Sequence, residues 1–162
     1  MQRSSMDRRS FLGSMAMGAA AAALPPKVNL KNLPPPNLVY VFADQWRAAA
    51  TGYAGDPNAQ TPNLDLLAKQ SVNFTNAVSG CPVCTPYRAS LMTGQYWLTH
   101  GSFLNDVPLR GNAVSFAEAF DGAGYDTAYI GKWHLDGQGR SAYTPPERRK
   151  GFKFWRALEC SH

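Results

Sequence analysis

Residues Asn37-Leu38-Val39-Tyr40-Val41-Phe42-Ala43 form a near-continuous apolar run, the pattern of a strand covered on both faces, and the run ends at Asp44-Gln45. Turn-forming residues follow from Gly52 to Gln60. Thr61-Pro62-Asn63 then predicts a helix through about Gln70, with Thr61 as N-cap and Pro62 at the first helical position. Val72 to Val78 reads as a second strand. A short helix is predicted from Cys84, because Thr85 and Pro86 suit a first turn and Gly94 suits the position just past the end. Ser115-Phe116-Ala117-Glu118 is a capping box, opening a helix that stops at the Gly122-Ala123-Gly124 turn. From Gly124 to Leu135 the pattern is a buried strand with a charged exit. Strands alternating with helices predict a layered α/β sheet, with no internal repeat.

Composition changes this picture mainly at the ends. The chain has 162 residues and 44% apolar content, enough for one globular domain. Residues 1–26 read as a twin-arginine signal: Asp7-Arg8-Arg9-Ser10-Phe11-Leu12, a mild apolar run from Gly13 to Leu24, then small residues. The run is too short for a transmembrane helix, and no lipid-anchoring Cys follows it. A folded protein carrying this segment would leave a bacterial cytoplasm through the twin-arginine export machinery, for the periplasm or the exterior. An Ala-rich leader with two chance arginines is the rival reading. Residues 27–36 form a Pro-rich linker, and residues 37–162 read as the incomplete N-terminal part of a larger domain.

The net charge is +5, but residues 27–162 carry only thirteen bases and ten acids. Arg140, Arg148, Arg149, Lys150, Lys153 and Arg156 cluster late in the chain in no recognisable aromatic-interleaved binding pattern, so no nucleic-acid partner is expected. They read as a solvated loop or, less simply, as a surface for a polyanionic substrate. Asn73-Phe74-Thr75 matches a glycosylation acceptor, but a strand position and a bacterial-type leader argue against its use.

Candidate chemistry concentrates in two segments. In Cys84-Thr85-Pro86-Tyr87-Arg88, a nucleophile and a guanidinium stand one helical turn apart, near backbone N–H groups that attract anions. Such a site suits attack on an anionic ester. The same Cys could be an inert thiol, and Cys81-Pro82-Val83-Cys84 could be a redox pair or half a zinc site. Cys160 has no partner at metal-ligand spacing, and three cysteines make no disulfide framework. In the second segment, Lys132 and His134 share one strand face and Trp133 the other if the extended geometry continues. A Lys can bind a sulfate oxygen and a His can move a proton near neutral pH, although a solvated Lys, a strand-end His and a packed Trp explain the same residues.

Cys84 to Gly94 resembles C-T-P-x-R-x-x-L-x-T-G, and Gly124 to Leu135 resembles G-Y-x-T-x-x-x-G-K-W-H-L. Together they are similar to the two signatures of the type I, formylglycine-dependent sulfatases. The resemblance covers residues 37–160 and implies the alkaline-phosphatase-like α/β fold, a layered sheet with helices on both faces. It implies hydrolysis of sulfate esters, with Cys84 oxidised to an aldehyde by a formylglycine-generating maturase. The hydrated aldehyde would attack sulfur, and its second hydroxyl would then expel sulfate. Arg88 and Lys132 would stabilise the sulfuryl oxygens, and His134 would position or deprotonate the diol.

The family often carries two adjacent Asp residues where this chain has Asp44-Gln45. Calcium is therefore expected at Asp44, beside the modified Cys84, with Gln45 as an amide ligand or a supporting group. His100 and Asn105 lie where related enzymes place specificity groups, although an ordinary turn at Asn105 and Asp106 explains them equally; Tyr96 and Trp97 read as packing. A phosphonate or phosphate ester hydrolase of the same superfamily, a thiol-disulfide oxidoreductase and a silent binding module are the alternatives. Family members run to several hundred residues, so this chain reads as an N-terminal part, expected to bind calcium weakly and hydrolyse nothing alone.

Overall fold

The structure, a computed structural model, describes residues 34–160; the twin-arginine segment and most of the linker lie outside the described residues. The chain divides after Phe42 into two units. In the first unit, residues 34–42 have no strand pairing, and Leu38, Val39, Tyr40 and Val41 are exposed. The strand expected at 37–43 is thus absent. An apolar run supplies propensity, but a strand exists only where a neighbouring chain accepts its backbone hydrogen bonds.

The second unit begins at Ala43. Helix α1 spans Pro62–Gln70, with Pro at its start, Asp65 in the first turn and Lys69 in the last. Thr61 does not cap it. Its hydroxyl instead accepts from the Gly52 N–H and donates to Asp65, both at 2.8 Å, tying the preceding loop to the helix. Residues 72–78 form an exposed turn segment rather than the expected strand, again without a pairing partner.

Helix α2, Cys84–Thr93, ends as its sequence dictates: Gly94 takes φ 67° and donates its N–H to Ser90 O. A short helix α3, Trp97–His100, turns at Gly101. Helix α4, Phe116–Gly122, carries the predicted capping box, with Ser115 and Glu118 each accepting the other's backbone N–H.

Strand β1 is Ala128–Lys132, shorter than the Gly124–Leu135 pattern. It pairs in parallel with β2, Phe154–Leu158, from Ala128↔Phe154 to Lys132↔Leu158. Strand β2 carries Lys153 and Arg156 of the supposed solvated loop at or beside it, and its alternation of exposed and half-buried positions explains why composition concealed it.

The core joins Ala89 and Met92 of α2, Ala117 of α4, and Leu109, Tyr129, Trp133, Leu135 and Phe152. Trp133 packs edge-on against Tyr129 at 5.2 Å and against Trp155 at 5.1 Å. Burial of such rings stabilises by about 2–3 kcal/mol each. Gly151 lets the chain pass the start of α4, since a Cβ there would lie 2.5 Å from Glu118 N. These contacts fasten the end of β1 to the side of α2, and that junction creates the site. No helix among the described residues is long and apolar enough to cross a membrane.

Candidate active site

Cys84 opens α2, and Lys132 closes β1. Lys132 Nζ reaches to 3.5 Å from Cys84 Sγ and 3.1 Å from Asp44 Oδ2. Arg88, one turn along α2 and only 5% exposed at its side chain, places Nη2 3.2 Å from the same Asp44 oxygen. Its other arm donates to the Tyr129 hydroxyl at 3.2 Å and to the Lys132 carbonyl. Tyr129 also donates its hydroxyl proton to that carbonyl. The guanidinium is therefore clamped by the strand that delivers Lys132. Asp44 Oδ1 lies 3.9 Å from Cys84 Sγ, completing a ring of one thiol, two cations and one carboxylate.

Burial opposes charge on Lys132, but its bond to Asp44 and the nearby Cys84 outweigh burial and hold its pKa above the ordinary value. Desolvation likewise pushes Asp44 up, yet Lys132 and Arg88 together draw it below the usual carboxylate range. Lys132 is thus protonated and Asp44 ionised at neutral pH.

His134 does not continue the strand. It adopts φ 56°, so the alternation expected from Lys132 to His134 breaks. Its Nε2 lies 2.8 Å from Asp106 Oδ1, and Arg140 holds the other Asp106 oxygen at 3.1 Å. Arg140 first, then His134, lowers the Asp106 pKa. Trp133 serves packing, as one reading of the sequence had it. The His134 carbonyl accepts the Thr85 hydroxyl at 2.9 Å, which ties His134 to the residue after Cys84.

Asn105 has a local role that its sequence did not disclose. The residue before α2, Val83, has no side-chain acceptor, and Asn105 Oδ1 receives the Thr85 N–H at 3.0 Å instead. It caps α2 from twenty residues away. His100 is enclosed rather than presented at the surface: Ser102 donates its N–H to Nδ1 at 3.1 Å, leaving Nε2 to donate to Ser90 Oγ at 3.0 Å. His100 is thereby enclosed, whereas Asn105 is half-buried. Tyr96 is exposed rather than packed. The sequence reading overlooked Asp106, Tyr129 and Arg140 as contributors; the left-handed φ of Asp106, 65°, was not legible from composition.

Cys81 and Cys84 are both free thiols. Among the described residues no group of three or more His, Cys, Asp or Glu side chains is arranged to hold a metal ion. Asp44 does fit as one hard oxygen ligand, ionised and 43% exposed, with exposed Gln45 beside it. The late basic cluster is largely engaged within the molecule. Arg148 forks onto Asp136, Lys153 meets Asp121, Arg149 donates to Thr144 O and Tyr143, and Lys150 donates to Gly111 O and Ala113 O.

The chain is similar in sequence and fold to known proteins. The Sulfatase family profile matches residues 36–160. An ulvan-active sulfatase of Formosa agariphila is 66% identical over 127 residues, covering 78% of this chain and 25% of that protein. An endo-4-O-sulfatase of Bacteroides thetaiotaomicron is 35% identical, covering 89% of this chain and 35% of that protein. A solved Bacteroides fragilis structure, described as that of a sulfatase, superposes with TM-score 0.72 at 37% identity, covering 85% of this chain and 34% of that one. The chain therefore spans a quarter to a third of the length of the relatives it matches. With the profile running through both the Cys84 helix and the Lys132 strand, and with the fold shared, this chain belongs to the sulfatase family of alkaline-phosphatase-like α/β proteins.

Proposed function

We propose that this protein hydrolyses sulfate monoesters, with Cys84 converted to formylglycine as its nucleophile. The observation that carries the reading is the convergence of protonated Lys132 on Cys84 Sγ at 3.5 Å, with Arg88 one Asp44 carboxylate away. When present, the aldehyde supplies a hydrated diol, one hydroxyl of which attacks sulfur while the other later expels sulfate. Lys132 and Arg88 bind the sulfuryl oxygens and offset the charge that grows on them, in positions already fixed by Asp44, Tyr129 and the Lys132 carbonyl. His134, buried beside Thr85, takes up a proton. Calcium would be held through Asp44 and, beside it, Gln45, adjoining the modified Cys84; these residues are only part of a six- to eight-oxygen shell. Such a dication would add electrostatic stabilisation.

A glycan sulfate ester is the substrate class we favour, because the Formosa and Bacteroides thetaiotaomicron relatives are an ulvan-active sulfatase and an endo-4-O-sulfatase. Recognition would centre on the sulfate group at Cys84, since most of the late basic cluster is engaged by internal partners. The twin-arginine pattern at Arg8-Arg9 supports export to the periplasm or exterior after a maturase has acted on Cys84 in the cytoplasm.

The test is release of inorganic sulfate from a sulfated polysaccharide by full-length protein purified from its own host. Wild type should release sulfate and Cys84→Ala should not. Equal release by the variant would refute the nucleophile assignment.

A further inference from the structure

Asp106 and His134 meet across one hydrogen bond from two left-handed backbone positions, φ 65° and 56°. Neither residue is Gly, and two such conformations in contact cost free energy that the surrounding structure must offset. The bond they make is specific. Asp106 Oδ1 takes His134 Nε2 at 2.8 Å, and Arg140 fixes the second oxygen at 3.1 Å. Arg140 keeps Asp106 an ionised acceptor, so the imidazole proton of neutral His134 belongs on Nε2. His134 Nδ1 is then a bare lone pair, and among the described residues it is buried without a hydrogen-bond partner. A buried acceptor left open in this way has an explanation to find. Two bonds hold the arrangement against the Cys84 helix: the Thr85 hydroxyl donates to the His134 carbonyl, and the Asp106 N–H donates to that hydroxyl at 3.3 Å.

We propose that Asp106 is a positioning residue that locks His134 as the Nε2–H tautomer and leaves Nδ1 as the open, proton-accepting nitrogen. The inference rests on the sulfatase reading for the reaction in which that nitrogen serves. Arg140 acts only through Asp106.

The tautomer is read directly by two-bond 1H–15N correlation NMR of 15N-histidine-labelled full-length protein, with the His134 signals identified by their loss in His134→Gln. Wild type should show a pyrrole-like Nε2 and a pyridine-like Nδ1. Asp106→Asn offers an amide N–H to Nε2 and should move the proton to Nδ1, whereas Asp106→Glu should keep it on Nε2. In the sulfate-release assay, Asp106→Asn should lower kcat on the order of 10²-fold with little change in KM, and Asp106→Glu should recover part of the loss. An Nδ1–H tautomer in wild type overturns the proposal, as does an unchanged Nε2–H pattern in both Asp106→Asn and folded Asp106→Ala. Because the NMR result needs no turnover, a wild type that releases no sulfate would sink the sulfatase reading and leave the tautomer lock standing.

Discussion

Lys132 Nζ stands 3.5 Å from Cys84 Sγ, although forty-eight residues separate them in the chain. The contact depends on β1 ending beside the start of α2, with Trp133 anchored in the aromatic core directly behind it. Lys132→Ala should therefore lower kcat/KM for sulfate release by roughly 10²–10³-fold. Lys132→Arg should not restore it, because a planar fork cannot replace a compact ammonium 3.1 Å from Asp44. Sulfate-release kinetics on both variants check this.

Arg88 binds the strand as well as the site. Truncating it takes one of two donors from the Lys132 carbonyl, removes a partner from the Tyr129 hydroxyl and leaves Asp44 with one cation fewer. Arg88→Ala should cost about 3 kcal/mol by denaturant unfolding. Tyr129→Phe, which removes only the hydroxyl, should cost about 1 kcal/mol. Equal costs for the two would show that the guanidinium does not clamp β1.

Asn105 separates two roles cleanly. As the cap of the Thr85 N–H, its replacement in Asn105→Ala should cost about 1 kcal/mol of stability and leave KM for the sulfate ester unchanged. A raised KM with unchanged stability would restore the substrate-contact role that its position in the sequence suggested.

His100 gives the fold a pH dependence. Burial, with the positive charge of Arg110 nearby, lowers its pKa below the ordinary 6.5. The unfolded chain therefore binds a proton before the folded one does. Stability should be flat above 6.5 and fall as pH drops from there toward the lowered folded value, by at most about 1.4 kcal/mol per pH unit. Thermal unfolding of wild type against His100→Gln should show this slope only in wild type; a slope common to both would assign it elsewhere.

These predictions also mark what the sequence could and could not disclose. The Cys84 helix, its Gly94 stop and the Ser115 capping box are local patterns, set within a few residues, and all three form as read. Cys84, Arg88 and Lys132 were legible as candidates because each sits in a dense motif, and the fold brings the three together. The strands expected at 37–43 and 72–78 depend on distant partners, which no local run of Val and Tyr can specify. Strand β2 was missed for the converse reason: its basic and exposed residues look like a loop until β1 pairs with it. Asn105 reads from the sequence as a substrate contact or a turn former, and Asp106 only as a turn former, because their contacts, to Thr85 and His134, cross twenty or more residues.

The central claim is the chemistry at position 84. Peptide mass spectrometry across Cys84, on active full-length protein from its own host, tests it most directly. The account predicts an aldehyde in place of the thiol. A plain thiol, or a Cys81–Cys84 disulfide, in protein that still releases sulfate would contradict it.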